Sequence, residues 1–484
     1  MNVLTMISEK SVQSYIFRSN RLKEVVGASW LAASALEEWR ASSAGRKLLY
    51  AGGGNAAIVF ASIDQARREI EEWSRRWFQE APALAFSVVH RPYDEGLAYA
   101  LLDAREGLLP RQEDQESIGA PFGALSVVRS CPSTGLAAGW PPVDGEYLGE
   151  EARAKALRSR SATSRLEQSC SLPEGYTFPE RLDELGITEG SSHLAIVHAD
   201  GDEMGSLLYQ HVDKYDGQDE AAIAALADIS DRISNAGRVA LTRVIEAVLR
   251  LVTKPSDELE RWALRPIPNE KGQILLPIRP VVFGGDDVTF ICHARLALYL
   301  ARLYLTEFEA EGRNQKLGTV TASAGVFMGP AKFPFARGYE FADQLCRLAK
   351  DRRKSAGKRG SWLDFHIQLE GATEDIPSQR KRISEDLFAR PYCVSAAWEN
   401  LGVAATWPQF QSRLRSLRNT EHWPRNKVKA LREALLRGGT QIDCVAELLG
   451  ENSGFDKGQM PLWFDAVDAF DFCIDEELFF APHT

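Results

Sequence analysis

The sequence predicts an α+β protein with two ferredoxin-like domains of β-α-β-β-α-β order, an irregular and partly helical connector between them, and a C-terminal helical domain. Two observations support this fold class. The same succession of apolar, strand-like runs and helical periodicity occurs twice along the chain. In each copy, a glycine-rich tight turn joins the second and third strands. We place the four regions at 1–95, 96–190, 191–369 and 370–484.

The first copy follows the pattern more loosely than the second. Its expected elements are a strand at 3–7, a helix at 12–39, hairpin strands at 48–51 and 56–60, a helix at 64–80 and a strand at 84–89. The hairpin turns at three glycines followed by Asn55. Glycine is the usual residue where a tight turn needs a left-handed backbone.

The second copy begins with a short apolar run typical of a buried strand. Its expected elements are a strand at 194–199, a helix at 220–253, hairpin strands at 280–283 and 288–291, helices at 294–311 and 335–354, and strands at 320–328 and 363–367. Aligning the two hairpins places Gly54 and Asn55 where the second copy has Asp286 and Asp287. The two copies therefore differ in the charge of this turn.

Composition limits the class of protein. A chain of 484 residues suggests about three domains, and 44% hydrophobic with 26% charged residues is ordinary for a globular protein. No apolar run reaches the ~18 residues of a membrane span, and the start lacks signal-peptide features, so we expect a cytoplasmic protein without a membrane partner. The net charge of −10 does not favour nucleic-acid binding by the whole surface. Seven scattered cysteines without a C-x-x-C pair indicate reduced thiols.

Three aspartates are expected to meet at one edge of the second sheet. Asp200 ends the first strand, Asp286 and Asp287 lie in the hairpin turn, and the first and third strands of this motif are neighbours. Clustered carboxylates repel one another unless a hard cation neutralises them, and Mg²⁺ or Mn²⁺ prefers such oxygen ligands. Gly-Gly-Asp-Asp alone is also compatible with a solvated turn, but its combination with Asp200 favours a two-metal catalytic site.

Four further residues are predicted to bind a nucleotide: Gly201, Gly284, Gly285 and Lys350. The glycines let a triphosphate approach the backbone closely. Lys350, in the last helix of the second copy, can reach the triphosphate as a point charge, although a solvated helix face is the alternative.

The sequence also suggests roles for several residues near Asp200 and Lys350. Asp202 and Glu203 are candidates for additional metal ligands, and strand alternation makes Asp202 the weaker one. Strand alternation is also taken to point His198 away from Asp200, which predicts a packed histidine. Six basic residues near Lys350 are either solvated or placed to screen product phosphates: Arg347, Arg352, Arg353, Lys354, Lys358 and Arg359.

Several segments together resemble the large polymerase-cyclase subunit of type III CRISPR effector complexes. The similar segments are 15–29, 51–55, 198–205, 284–287 and 324–365. The resemblance implies two palm domains, a degenerate first one and a second one that binds metal ions and ATP. It also implies 3′–5′ condensation of ATP into cyclic oligoadenylates, the second messengers of antiviral defence, with release of pyrophosphate. The palm is also similar to that of GGDEF-type cyclases.

The resemblance implies partners as well as a reaction. These are guide or target RNA and other CRISPR effector subunits, or a second copy of the chain if it is a stand-alone cyclase. The sequence departs from the family in two respects. It starts directly in the first palm and has no His-Asp dipeptide, so we expect no HD nuclease domain and no DNase activity. Cys131 and Cys170 alone cannot supply the zinc site that many members have.

Other functions stay open on the sequence. One alternative is a non-catalytic scaffold that senses a nucleotide or RNA, which the intact set of aspartates disfavours. Another is a stand-alone cyclase with a different cyclic nucleotide as its product. In the C-terminal domain, a basic stretch at 413–437 could contact phosphates, and an acidic, aromatic tail at 464–480 could dock onto basic surface of the same chain.

Overall fold

The computed structural model describes residues 1–41, 44–94, 96–113, 129–139, 141–185, 193–215, 218–369, 374–395, 405–450 and 453–476. Within these ranges, none of the helices combines the length and the apolarity that crossing a membrane requires. The architecture is α+β, as predicted, with two sheets of the same strand order and a helical C-terminal part.

The first sheet has the ferredoxin-like order. Its four strands are β1 (Asn2–Lys10), β2 (Arg46–Gly52), β3 (Asn55–Phe60) and β4 (Ala85–Tyr93). They lie in the order β2-β3-β1-β4, and every neighbouring pair is antiparallel. The helices of this domain are α1 (Val12–Phe17), α2 (Leu22–Glu37), α3 (Ile63–Glu80) and α4 (Leu97–Glu113). Apolar side chains of α2 and α3 cover one face of the sheet, and those of α4 cover the other.

The single helix predicted at 12–39 is wrong, because the chain leaves the helical conformation between Phe17 and Leu22. The Ser19 hydroxyl accepts a hydrogen bond from the Arg21 backbone N–H at 3.1 Å, and the Asn20 side chain accepts one from the Phe335 backbone N–H at 2.8 Å. Serine and asparagine side chains compete with helical hydrogen bonds in this way. The break ties the first domain to the second.

The second sheet repeats the same order and extends it. Its strands are β6 (His193–Gly201), β8 (Ile278–Gly284), β9 (Asp287–His293), β10 (Ala322–Pro330), β11 (Trp362–Ile367) and β12 (Tyr392–Cys393). Two short strands, β5 (Tyr176–Thr177) and β7 (Ile274–Leu275), form a separate parallel pair. The order is β12-β11-β10-β6-β9-β8, in which β10-β6-β9-β8 matches the first sheet. The outer strand β11 pairs with β10 in parallel.

Five helices accompany this sheet: α6 (Met204–Val212), α7 (Asp219–Val252), α8 (Ser256–Arg261), α9 (Ala294–Asn314) and α10 (Phe335–Ser355). The side chains of strand β6 show which helices cover each face of the sheet. Ala195, Val197 and Ala199 lie in the core that α7 and α9 cover. Leu194 and Ile196 lie in the core with α10, on the opposite face. Alternation along β6 therefore directs its even-numbered side chains towards α10.

Helix α7 also contacts the first sheet. Its early residues Ala222, Ile223 and Leu226 pack in one cluster with side chains of β1, β2 and β3. Farther along, Asp231 pairs with Arg40 at 3.0 Å. The 34 residues of α7 thus belong to the cores of both domains.

The remaining helices are α5 (Glu150–Ser169), which packs against α2, and five C-terminal helices: α11 (Ile376–Ile383), α12 (Trp407–Arg418), α13 (Arg425–Arg437), α14 (Thr440–Leu449) and α15 (Met460–Ala469). Trp407 and Trp423 are buried among them, whereas Trp398 lies outside the described residues. The predicted helical character of the C-terminal part is confirmed, and these helices share the hydrophobic core of the second sheet.

The acidic residues near the C-terminus dock onto the basic stretch of the same domain. Arg425 pairs with Asp471 at 2.8 Å, and Arg432 pairs with Asp468 at 3.4 Å. Arg418 forms an ion pair with Asp475. Several arginines of the basic stretch, which the sequence suggests as phosphate contacts, are therefore neutralised by acidic residues of the same chain. This holds for the part of the tail that the structure describes.

Candidate active site between the two sheets

The three predicted aspartates lie together at one edge of the second sheet. Asp200 is the last residue but one of β6, Asp286 is in the turn between β8 and β9, and Asp287 begins β9. Strands β6 and β9 are direct neighbours, and the Gly201 backbone N–H donates to the Asp286 carbonyl at 3.2 Å. The ladder itself brings the carboxylates to one place.

Burial and mutual repulsion make this cluster electrostatically costly. Burial, followed by the charge of Asp200, raises the pKa of Asp286 to about 6. The same two causes raise the pKa of Asp287 well above its ordinary value, and Asp286 adds to the effect. The Oδ1 atom of Asp287 is buried and accepts no hydrogen bond from the residues that the structure describes. Such a carboxylate lacks the partner that a buried charge requires.

A hard divalent cation fits this donor set, because it would supply the missing partner of Asp287 and cancel the repulsion. In the part of the chain that the structure describes, no group of three or more His, Cys, Asp or Glu side chains is already drawn together in metal-binding geometry. The reason lies in the contacts of the side chains. Asp200 is turned towards Lys350, and Asp287 lies near His198.

Lys350 reaches the carboxylate cluster from α10. Its Nζ donates to Asp200 Oδ2 at 2.5 Å and to the Gly201 carbonyl at 3.0 Å. Burial alone lowers the pKa of this ammonium, but the attraction of Asp200 outweighs it and the net pKa is raised. Lys350 is therefore a cation held at the site rather than one on a solvated helix face.

Glycines allow close approach at three points around the turn. A Cβ on Gly201 would lie 2.7 Å from the Asp286 side chain. Gly285 has φ +72, a left-handed conformation that favours glycine, and a Cβ on Gly284 would meet no neighbour. Gly237 in α7, which the sequence reasoning missed, lies so close that its Cβ would be 2.2 Å from the Gly285 carbonyl oxygen.

The expectation for His198 is half right. The side chain is buried, as predicted, and burial lowers the pKa of its imidazole, which is therefore neutral. The prediction that it points away from Asp200 is wrong, since residues two apart on a strand share a face. Its Nδ1 lies 3.1 Å from Thr289 Oγ1 and 3.4 Å from Asp287 Oδ1. His198 thus lies beside Asp287 on the same face of the sheet, without a hydrogen bond to Oδ1.

Asp202 and Glu203 serve other partners. Both carboxylate oxygens of Asp202 are occupied, because Thr321 donates to one at 2.7 Å and Ser323 donates to the other at 2.9 Å. Arg353 lies 3.1 Å from Asp202 and 3.2 Å from Glu203. These acids anchor the end of α10 and do not face the carboxylate cluster.

The basic residues around Lys350 are largely paired. Arg347 binds Asp343 at 2.7 Å, Lys354 binds Asp351 at 2.9 Å and Lys358 binds Glu203 at 2.5 Å. Arg353 is buried with its acidic partners. Most of this cluster therefore stabilises local structure.

A cavity of about 280 Å³ separates the two sheets at this edge. Gly284, Gly285 and Asp287 line its wall on the second sheet, and Glu9 and Gly52 to Gly54 line the wall on the first. Its remaining lining includes three arginines: Arg40, Arg165 and Arg238. The volume is near the lower limit for small-molecule sites. Two glycine turns therefore face one another across a common space.

The first sheet has the same ladder without the carboxylates. Glu9 N–H donates to the Gly54 carbonyl at 2.8 Å, and Ser8 pairs with Asn55. These bonds match that of Gly201 to Asp286 in the second sheet. Ser8, Gly54 and Asn55 thus occupy the positions of Asp200, Asp286 and Asp287.

Comparison with protein families identifies the second domain. Residues 193–358 match the family model of the Cas10/Cmr2 second palm domain. The match begins with β6 and contains the three aspartates, the glycine turn and Lys350. No curated protein sequence matches the chain.

Solved structures extend the likeness to the whole chain. Three crystal structures of a Csm1–Csm4 cassette, in complex with cA4, pppApA and AMPPNP, are similar with TM-scores of 0.54, 0.52 and 0.50. Each is 14% identical in sequence, and each match covers 97% of this chain and 69% of that chain. At this identity the likeness concerns the fold. The fold of the chain is therefore similar to that of the Csm1–Csm4 cassette, and residues 193–358 are similar to the Cas10/Cmr2 second palm domain.

Proposed function

We propose that the chain is a nucleotidyltransferase that condenses ATP into cyclic oligoadenylate in type III CRISPR antiviral defence. The observation that carries the proposal is the meeting of three carboxylates and Lys350 at one edge of the second sheet, next to a cavity between the palms that Asp287 and the glycine turn line. Each condensation forms a bond between a 3′-oxygen and the α-phosphorus of ATP, breaks the α–β phosphoanhydride and releases a proton with pyrophosphate. Ring closure repeats this step within one molecule.

The second palm would hold the reacting triphosphate. Asp200, Asp286 and Asp287 are the residues that would bind metal ions. Two Mg²⁺ or Mn²⁺ ions bound there would supply activation of the 3′-hydroxyl and charge neutralisation of the departing pyrophosphate. The open backbone of Gly284 and Gly285 faces the cavity, where the triphosphate can approach without a side chain in the way.

Lys350 and His198 have distinct positioning roles in this proposal. Lys350 is the cation nearest to Asp200, at 2.5 Å, and can turn to the triphosphate as a mobile point charge. His198, buried and 3.1 Å from the Thr289 hydroxyl, packs next to Asp287 and would limit where that side chain can turn. In this proposal, neither residue removes the proton from the attacking 3′-hydroxyl.

The first palm would hold the acceptor nucleotide, whose 3′-hydroxyl attacks. Its glycine turn at Gly52 to Gly54 faces the second-palm turn across the cavity. Because both walls belong to one chain, two nucleotides can meet without a second copy. This arrangement favours a single chain as the catalytic unit over the homodimer considered from the sequence.

The similar structures support both the substrate and the partners. Those crystals contain Csm1 with Csm4 and with cA4, pppApA or AMPPNP. Adenine nucleotides as ligands and another CRISPR effector subunit as partner therefore fit this chain. A guide or target RNA acting through that assembly belongs to the same proposal.

The test is incubation of the purified chain with each NTP and Mg²⁺ or Mn²⁺, followed by mass spectrometry of the products. We expect cyclic or linear oligoadenylate from the wild type and a loss of at least about 1,000-fold in the double variant Asp286→Ala, Asp287→Ala. The control variant is Asp351→Ala, whose exposed carboxylate pairs with Lys354 away from the cavity.

Each outcome has a defined meaning. An oligonucleotide product that persists in the double variant would overturn the assigned site. If the wild type is silent alone, the same assay is repeated with the effector subunits and target RNA. Silence there, together with failure to bind ATP in a metal-dependent manner, would refute the enzyme and favour a scaffold.

A further inference from the structure

Glu9 is a carboxyl group on the first palm that the proposed reaction does not yet use. It is the last residue but one of β1, and its backbone N–H donates to the Gly54 carbonyl at 2.8 Å. The matching residue of the second palm is Gly201, whose N–H makes the same bond to Asp286. Where the second palm has no side chain, the first palm therefore has a carboxyl group.

This carboxyl group lacks a partner. Its Oε1 atom is buried and makes no hydrogen bond, and no Lys, Arg or His of the described residues forms an ion pair with Glu9. Burial raises the pKa of the Glu9 carboxyl to about 8. A buried polar group without a partner costs stability and is rare in folded proteins unless a ligand or water satisfies it. Nearby, the buried Tyr15 hydroxyl also has no hydrogen-bond partner.

The position of Glu9 suggests where that ligand lies. Glu9 lines the same cavity as Gly285 and Asp287 on the opposite wall. The neighbouring turn leaves space, since a Cβ on Gly53 would meet nothing within 4 Å. The other glutamate of the lining, Glu37, is already paired with Arg165. Glu9 is thus a free hydrogen-bonding group in an open wall that faces the reacting centre.

Chemistry narrows the ligand to a hydroxyl group. A carboxyl group that burial keeps protonated offers no positive charge to a triphosphate, and an ionised one would repel it, so the triphosphate does not lie against Glu9. The acceptor must bring its 3′-hydroxyl to the second-palm carboxylates, so its ribose lies between the two walls. The nucleobase is at the other end of the nucleoside from this hydroxyl. Carboxylates commonly bind ribose hydroxyls at nucleotide sites.

We infer that Glu9 accepts a hydrogen bond from the ribose 2′-hydroxyl of the acceptor nucleotide and thereby selects ribonucleotides over 2′-deoxyribonucleotides. This role rests on the proposed function, because it places the acceptor on the first palm. It makes Glu9 a specificity-determining residue, which binds the group beside the attacking oxygen. The hydrogen bond also supplies the partner that Oε1 lacks.

The test compares ATP with 2′-deoxy-ATP in the wild type, Glu9→Leu and Glu9→Gln. Leucine keeps the volume without an acceptor, whereas glutamine keeps a neutral acceptor. Binding is measured by calorimetry without turnover, and condensation is measured separately by product formation. We expect the wild type to prefer ATP by roughly tenfold to a hundredfold, as for loss of a hydrogen bond to a charged or buried group. Glu9→Leu should reduce this preference to about threefold or less, with Glu9→Gln in between.

Glu37→Gln is the matched control, because Glu37 lines the same cavity but is bound by Arg165. It should keep the preference for ribose. A melting curve of each Glu9 variant separates loss of binding from loss of folding. If Glu9→Leu does not fold, Glu9→Ala decides, since it also removes the acceptor and an unchanged ratio in that variant overturns the inference.

Other results are equally decisive. An unchanged ratio in Glu9→Leu, or an equal loss of both nucleotides, overturns the inference, and a changed ATP-to-GTP ratio alone assigns Glu9 to the base instead. Product formation with an unchanged ratio refutes the role of Glu9 but not the reaction. A ribose preference in binding that depends on Glu9, without any product, supports Glu9 and refutes the reaction. Failure to bind either nucleotide refutes both.

Discussion

The two palms share one strand order and one pattern of strand pairing, but they differ in three residues at the end of the paired strands. Ser8, Gly54 and Asn55 stand in the first palm where Asp200, Asp286 and Asp287 stand in the second. The first turn is satisfied locally, since the Asn55 side chain donates to the Gly53 carbonyl at 2.9 Å. The second turn leaves Asp287 Oδ1 buried and without a hydrogen bond.

This difference teaches that the fold and the chemistry have separate determinants. The apolar strands and helices specify both sheets whether or not carboxylates are present. The carboxylates of the second palm add repulsion and burial costs that the fold alone does not require. Such costs are typical of functional sites.

The largest expected effect concerns the cation of the second palm. Helix α10 carries Lys350, whereas α4, which follows the fourth strand of the first palm, contains no lysine. Replacing Lys350 by Ala should lower kcat/KM for ATP by roughly 100-fold, chiefly through KM, because the point charge at the triphosphate is lost. Steady-state kinetics of oligoadenylate formation measure this effect.

Lys354→Ala is the control, because Lys354 is exposed and pairs with Asp351 on the same helix. It should stay within about twofold of the wild type. Equal KM values for the Lys350 variant and the wild type would show that Lys350 does not bind the triphosphate.

The next effect concerns how each turn is held. The second-palm turn packs against α7 at Gly237, whereas the first-palm turn is open at Gly53. Gly237→Ala should destabilise the protein by about 2 kcal/mol and lower activity, because its Cβ would press on the Gly285 carbonyl. Denaturant unfolding and the condensation assay measure the two effects.

Gly205→Ala provides the matched change in a helix, since a Cβ there meets no neighbour. That variant should be neutral or stabilised by up to ~1 kcal/mol. If Gly237→Ala is as stable and as active as the wild type, the packing of α7 does not hold the catalytic turn.

The smallest effect is a gain in stability when one carboxylate of the second turn is neutralised. Asp286→Asn removes one of the repelling carboxylates, so the melting temperature in EDTA should rise by ~2 °C while activity is lost. Asp351→Asn, on the exposed face of α10, should change it by less than ~1 °C. A lower melting temperature for Asp286→Asn would mean that the cluster stabilises the fold even without metal ions.

The sequence was sufficient for the repeated sheet order and for the positions of Asp200, Asp286 and Asp287, because apolar periodicity and turn glycines are local signals. The helix break at Ser19 and Asn20 was missed, since it depends on a tertiary bond to Phe335. The predicted direction of the His198 side chain was wrong because the alternation of side chains along a strand was misapplied. Correct use of the same rule would have placed it beside Asp287.

Two further residues needed the structure. Gly237 looks like an ordinary helical glycine until α7 is placed against Gly285. Glu9 resembles a solvated residue at a strand end, and its isolation follows only from the facing wall of the cavity. The importance of Gly237 and Glu9 depends on contacts between segments that are distant in sequence. The periodicity of apolar residues along the sequence does not predict such contacts. The roles assigned to the site residues, and the domain boundaries, stay predictions.

Helix α7 has a mechanical consequence. It is a rod about 50 Å long by the rise of an α-helix. One end is embedded in the core of the first palm through Ile223 and Leu226, and its middle touches the second-palm turn at Gly237. From Ile229 onwards its apolar side chains lie in the core of the second palm, so the rod is held by both palms. Rotation of one palm against the other would therefore be transmitted to the Gly-Gly-Asp-Asp turn as a push or a release at Gly285.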